Sequence, residues 1–378
     1  MQLFSSLRKR LTGHSQTRRT PARKSTPRFR PQIEALDDRL VPSTLTVTNN
    51  LDTGVAGDGS LRGEIVAAQP GDTIVFDPSL SGQTIVLYNN ATGSGNELAI
   101  NKNLTIQGPI APLSPVTING YLSRVFEVDG AGTIVSLSNL NIINGYGDAA
   151  FGSFHAGDGQ GGAIWNGGTL TVNTCNLSNN SARGGLGGAI YNVGTLTVSN
   201  STLDNNSVYY EDWDNLYYGD GGAIYNAGTL TVSNSTLDGN TASVRGGGDG
   251  GGIYNASGAT ATITGSSLSG NWAFDGGGIF NAFKASATVT GSSLSGNVTS
   301  DGYIDGYYWV NTGGGIYNDG VMTLSGSTVS GNTGGIFNDK KGHLAITSMS
   351  SVVNNGTDLY NFGAVKISTD SDVGVIVN

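Results

Sequence analysis

Three aspartates stand where repeated chemistry is possible. Asp220, Asp249 and Asp275 each lie four residues ahead of an isoleucine (Ile224, Ile253, Ile279) in successive copies of one recurring phrase. The equivalent positions in other copies hold Gln160, Leu186 and Thr312. If the copies stack as strands, these carboxylates line up at roughly 4.8 Å. At that spacing two charges repel by about 1 kcal/mol in a water-like dielectric and about 3.5 kcal/mol at an effective value of 20. An exposed row tolerates this. A partly buried row needs raised carboxyl pKa values or a cation such as Ca²⁺, which takes oxygen ligands. The row is therefore a candidate metal site. The competing reading is that Asp only initiates a Gly-rich turn.

A second group of residues suits sugar recognition. Insertions at 145–160, 207–219 and 298–312 enter at the same point of the repeat. The second and third carry Tyr209, Tyr210, Trp213, Tyr217, Tyr218, Tyr303, Tyr307, Tyr308 and Trp309. Insertions in stacked repeats map to one face, often the binding face. Three rungs, roughly 14 Å, separate these two insertions by strand spacing. Flat aromatic faces can stack on the apolar faces of sugar rings. Glu211, Asp212, Asp214, Asp301 and Asp305 can bind sugar hydroxyls, so a polysaccharide or other surface glycan is the expected partner. Alternatively the aromatics only pin long loops to the outside of the coil.

Catalytic motifs are not evident. A polysaccharide lyase wants calcium and a basic residue to abstract a proton, and Arg183 and Arg245 are the candidates near the Asp row. A hydrolase wants paired carboxylates. The histidines are His14, His155 and His343, none in a recognisable motif, and His343 is expected at a strand edge facing solvent. Serines abound, but no nucleophile elbow appears.

The elements that would position these groups follow from the repeat itself. The phrases GGAIWN, GGAIYN, GGAIYN, GGIYN, GGIFN, GGIYN and GGIFN place Ile164, Ile190, Ile224, Ile253, Ile279, Ile316 and Ile336 in one column, at spacings of 26, 34, 29, 26, 37 and 20 residues. Such a period marks a solenoid. In each unit apolar and small polar residues alternate. Leu196, Val198 and Leu203 face one way, and Thr195, Thr197 and Ser199 face the other, which is half-buried strand. Three such segments fit in a 26-residue unit, and no helix does. The expected fold is all-β, a single-stranded right-handed parallel β-helix.

Two asparagine columns should form ladders: Asn166, Asn192, Asn226, Asn255, Asn281, Asn318, Asn338 and Asn361, and Asn180, Asn206, Asn240, Asn271, Asn297 and Asn332. Cys175 aligns with Ser201, Ser235, Ser266, Ser292 and Ser327 and reads as a structural small residue. Toward the N-terminus, strands are expected at 45–48, 73–76, 84–88, 104–107, 116–118, 125–128 and 133–137. A helix over 60–69, capped by Ser60 and ended by Pro70-Gly71, should cover the first coil. The C-terminal VGVIVN shows no comparable cap.

Composition narrows the class. With 60 glycines and 12% charged residues among 378, a helical bundle is excluded, and nine prolines without a Gly-X-Y period exclude collagen. Ten of the 19 Lys and Arg fall between Arg8 and Arg39. The rest of the chain holds nine basic against 25 acidic residues, a net charge of −16. Such a body repels phosphates and polyuronates, so nucleic acid is not an expected partner. No apolar run is long enough for a transmembrane helix. Three regions are expected: a basic disordered or processed leader (1–42), N-terminal coils with the capping helix (43–145), and the repeat coils with aromatic insertions (146–378).

The stretch DGSLRGEIVAAQPGDTIVFDPSLSGQTIVL at 58–87, continued by LTIQGP and RVFEVDGAGTIVSLSNLNIING, resembles a bacterial family of exported right-handed β-helix proteins of pectin-lyase-like fold. The GGAIYN units resemble the repeats of polymorphic outer-membrane proteins, and PQIEALDDRLVPS resembles a signature that follows basic leaders in bacterial exported proteins. The resemblance implies export and a surface or extracellular role, without established chemistry. The functional expectation is a non-catalytic secreted or cell-surface scaffold, adhesin-like or glycan-binding. The alternative is a calcium-dependent polysaccharide lyase, or a glycoside hydrolase on the same fold.

Overall fold

A computed structural model describes residues 42–88, 96–121, 123–148, 159–209, 219–242, 247–300, 303–304, 307–308 and 312–378. Residues 1–41 of the expected leader lie outside the described residues. Residues 42–378 form one compact unit.

Period-two alternation and parallel stacking produce a right-handed parallel β-helix. Among the described residues, sheet I has 11 strands, from Leu98–Ile100 to Ile376–Val377, and contains every Ile-aromatic-Asn segment. Sheet II has 12 strands, from Thr44–Val47 to Ala364–Ile367, and sheet III has 11, from Thr84–Val86 to Asp372–Val373. Every pairing in these sheets is parallel. The isoleucine column is real: Ile164, Ile190, Ile224, Ile253, Ile279, Ile316 and Ile336 pair rung to rung, and Leu359 and Ile376 continue them. Leu196, Val198 and Leu203 are fully buried, as the alternation requires. The N-terminal coils continue into the repeat coils: Phe126–Val128, Ile134–Ser138 and Asn141–Ile143 pair directly with the first of them.

Polar rows hold the corners. Each buried Asn of the first ladder donates from Nδ2 to Oδ1 of the next, at 2.7–2.9 Å from Asn166 to Asn361. The second ladder runs at 2.9–3.0 Å from Asn180 to Asn332 and continues to Asn355. Inside the low-dielectric core these amides spend their polar atoms on one another and on backbone carbonyls, as buried polar groups must. Cys175 takes a serine's place in a third row, its N–H donating to Ser201 Oγ at 3.1 Å. Burial pushes its thiol up to about 11, so it is unreactive at neutral pH. The turn between sheets II and III needs a left-handed residue, filled by Asn200 (φ 51°), Asn234 (48°), Gly265 (57°), Gly291 (55°) and Gly326 (56°). Gly and Asn adopt that conformation most cheaply and fill most of the column, while Thr174 (φ 54°) holds the same place one rung below Asn200.

The capping helix spans Leu61–Ala67, two residues shorter than expected at its C-terminal end. It packs on the first strands of sheets I and II and buries Leu61 and Ile65. Ser60 Oγ accepts from Gly63 N at 3.0 Å, and Lys102 Nζ donates to the carbonyls of Ile65 and Ala68, both at 2.9 Å. Ser60→Ala should therefore lower stability by about 1 kcal/mol, read as a shift of the denaturation midpoint.

Three expectations change. Leu98–Ile100 and Leu140–Ile143 are strands that the sequence reading passed over. A fourth sheet exists, with six strands among the described residues: Tyr146–Asp148, Ser181–Arg183, Ser207–Tyr209, Thr241–Ala242, Trp272–Ala273 and Val298–Thr299. The segments read as insertions therefore begin as regular coil, and their excursions leave later. At the C-terminal end the last rung stays in register. Val365 and Ile376 continue the core columns of Leu344 and Leu359 but are 37% and 42% exposed. No helix among the described residues is long and apolar enough to cross a membrane.

Candidate functional site

Sheet I presents one outward residue per rung, because the Ile and the Asn on either side of it point inward. That column reads Trp165, Tyr191, Tyr225, Tyr254, Phe280, Tyr317, Phe337 and Tyr360. From Tyr191 to Phe337 the rings stack face to face, with centroids 4.6–5.3 Å apart and planes within 2–11°. The ring faces are consumed within the ladder and only edges meet solvent, so the ladder offers sugars no stacking platform. Sequence reasoning missed this column, although the W/Y/Y/Y/F/Y/F alternation inside the repeated phrase was its signal.

The Asp row flanks the ladder. Gly187, Gly221 and Gly250 donate their N–H to the carbonyls of Asp220, Asp249 and Asp275 at 2.9–3.0 Å, which confirms the vertical alignment. The carboxylates form a chain rather than a chelate. Asp220 Oδ1 accepts from Asp249 N at 3.0 Å, and the Asp249 carboxylate accepts from Asp275 N. Burial pushes Asp220 up to about 6 and Asp275 up to about 7. Asp249, between them, is raised well above the ordinary range by burial and then by the charges of Asp275 and Asp220. The neighbouring phenols respond. Tyr225 is pushed to about 12 by burial and by Asp220, and Tyr317 rises through burial, Asp339 and Asp275. Tyr317 Oη donates to Asp339 Oδ2 at 3.2 Å. Asp275 Oδ1 and Asp319 Oδ1 are buried without a hydrogen-bond partner. Among the described residues no group of three or more His, Cys, Asp or Glu side chains is disposed to hold a metal ion.

The aromatic candidates divide. Tyr209 ends a strand of sheet IV, and its Oη donates to Tyr146 Oη two rungs below, at 3.4 Å. Tyr303 pairs antiparallel with Tyr308, and Ile304 with Tyr307, so the third excursion carries a backbone hairpin. Tyr210, Trp213, Tyr217, Tyr218 and Trp309 lie outside the described residues. Sheet IV fixes where the excursions depart: after Tyr146–Asp148, after Ser207–Tyr209 two rungs on, and after Val298–Thr299 three rungs further. The second and third departures are thus roughly 14 Å apart along one edge.

Residues considered for catalysis are dispersed. Arg183 lies on sheet IV, and His343 is exposed at the first position of its strand, as expected. Arg245, His14 and His155 lie outside the described residues. The fold and these surfaces define a parallel β-helix with laddered corners. No family model, curated protein or solved structure gives a match to the chain.

Proposed function

We propose that this protein is a non-catalytic, exported binding scaffold of the secreted or cell-surface kind, adhesin-like, that takes glycans at the corner where sheet IV meets sheet I. One observation carries the reading: the three chain excursions depart in register from one short sheet, along one edge of the stack. Tyr209 and Tyr146 form the described part of that edge. The row of ladders beneath it supplies rigidity, which lets aromatic contacts bind without paying to order the scaffold. The likeness to exported pectin-lyase-like and outer-membrane repeat proteins agrees with this role.

The test is a glycan array probed with the wild-type chain and with a variant in which 210–218 and 301–311 are replaced by short Gly-Ser links. Binding by the wild type and at least tenfold weaker binding by the variant, at an unchanged melting temperature, is the expected result. Equal binding by both refutes the corner. Release of unsaturated products or reducing ends from any polysaccharide in a parallel panel refutes the non-catalytic reading.

A further inference from the structure

At the C-terminal end, sheets I, II and III each stop on a short edge strand: Ile376–Val377, Ala364–Ile367 and Asp372–Val373. The columns that end there are apolar. Leu359, Leu344 and Val352 are buried, whereas their successors Ile376 and Val365 are exposed and Val373 is half-buried. Phe362, Val375 and Val377 are exposed beside them.

The backbone of this rung is as open as its side chains. Ala364 N donates to Gly342 O at 2.9 Å, and Ser368 N to Ile346 O at 2.8 Å. Peptide groups along a strand point alternately to its two sides. Val365 and Ile367 therefore aim N–H and C=O at the free edge. Asp372 N and Gly374 N donate to Ser350 O and Val352 O at 2.9 and 3.0 Å, and Leu359 N donates to Val375 O at 3.0 Å. By the same alternation Val373 and Ile376 also present their peptide groups to the free edge. Among the described residues no strand pairs with it. The residues that lose apolar cover are thus the ones whose peptide groups have no ladder, and a second strand edge supplies both at once.

The N-terminal end is built differently. Helix Leu61–Ala67 packs on the first strands of sheets I and II, so a head-to-tail contact between copies would have to displace it. An edge that meets its own kind makes a closed, isologous pair. We infer that this surface binds a second copy of the chain, tail to tail, with the last rungs pairing antiparallel across a two-fold axis.

The residues of the edge select the register. Two registers keep the apolar side chains inside: Val365 opposite Val365 of the second copy, or Ile367 opposite Val365. The latter sets Lys366 against Lys366, and like charges directly opposite are destabilising. The former sets Lys366 against Ala364. It also lets the two Val365 residues exchange both N–H···O bonds, the hydrogen-bonded pair of an antiparallel ladder. Residues 359–378 make up the rung, at the lower end of the roughly 20–30 residues a side of a standard interface. A monomer–dimer equilibrium is therefore expected rather than a permanent dimer. The inference stands apart from the glycan-binding reading.

Sedimentation velocity of the full chain across the micromolar range tests it, one copy weighing 38.7 kDa. A concentration-dependent shift to twice that mass, and no further, is expected. Val365→Pro removes the N–H at the centre of the pair, while the bonds of Ala364 and Ser368 to the rung below remain. It should weaken the dimer roughly tenfold or more. Ala364 is exposed, so substitutions there leave the core alone. Ala364→Glu sets a carboxylate opposite Lys366 and should tighten the dimer about threefold to tenfold, and Ala364→Lys should weaken it as much, each change counting twice across the two-fold. Opposite effects at one surface position separate the interface from a loss of folding, so this pair decides the matter even if Val365→Pro unravels the last rung. A wild type that stays monomeric overturns the inference. So does a dimer in which Glu and Lys at 364 act alike, because its contact lies elsewhere. Growth beyond the dimer overturns the closed two-fold.

Discussion

Asn240→Ala is expected to destabilise the body by about 4 kcal/mol, far more than a surface substitution. Asn240 is fully buried. Its Oδ1 accepts from both the backbone N and the side-chain Nδ2 of Asn206 at 3.0 Å, and its Nδ2 donates to Leu203 O at 3.0 Å and to Asn271 Oδ1 at 2.9 Å. Truncation leaves two donors of Asn206 without an acceptor and opens a void beside them. Each unsatisfied buried group costs about 1–3 kcal/mol. Because each rung contacts only its neighbours, the damage should split the unfolding transition near this rung rather than shift it uniformly. Urea denaturation followed by circular dichroism reads both effects. The control is one residue away. Asn205 is exposed with φ 52°, and Gly239, Gly270 and Gly296 occupy the same place in later rungs. Asn205→Gly should therefore stay within about 0.5 kcal/mol of wild type. Equal effects at 205 and 240 would remove the ladder as the source of corner stability.

Stability should fall as pH rises from 4 to 8, the reverse of ordinary acid denaturation, and Asp249→Asn should abolish much of that fall. The Asp carboxyls of the row start from 3.8 in the unfolded chain and stand at about 6 for Asp220 and about 7 for Asp275, with Asp249 also raised. Well below pH 3.8 the three are protonated in both states and cost nothing. Between 4 and 7 the unfolded chain releases protons that Asp220 and Asp275 still hold in the folded chain, so stability drops, and Asp249 adds to the fall in the same direction. The elevations of Asp220 and Asp275 correspond to about 3 and about 4 kcal/mol. Partial exposure screens the row, so we expect a loss of about 3 kcal/mol across the window. Asp249 is the member with a carboxylate on both sides. Asn in its place still accepts from Asp275 N and removes both repulsions, so the variant should be more stable than the wild type at pH 8, with little difference at pH 4. Asp72, held low by the backbone N–H groups of Ser43 and Gln69, titrates below this window and does not confound it. Denaturation midpoints at pH 4, 6 and 8 decide the matter, and a wild-type curve that rises toward pH 8 would sink the argument. Millimolar calcium is expected to leave the curve unchanged, because the Asp220 and Asp249 carboxylates are each held by the amide of the next rung.

Much of this architecture was legible in the letters. The Ile column, both Asn ladders, the Cys175 substitution in the serine row and the alignment of Asp220, Asp249 and Asp275 all follow once copies are set above one another. Parallel stacking in register turns sequence equivalence into vertical neighbourhood, and the hydrogen bonds between rungs enforce it. Sheet IV was not legible. Its strands are as short as Thr241–Ala242 and sit where the copies differ most, so neither alternation nor repetition marked them.

The sequence by itself determined which residues share a column, because a strand's period of two and the repeat's phase leave one consistent register. Tertiary structure alone decided what each column became. The rung pitch brought Tyr191 through Phe337 into face-to-face contact and so took their faces out of play. The corner between sheets IV and I half-buried three carboxylates that composition alone would leave in water. Burial depends on what the rest of the coil lays beside a residue, and that is a property of the closed coil, not of the column.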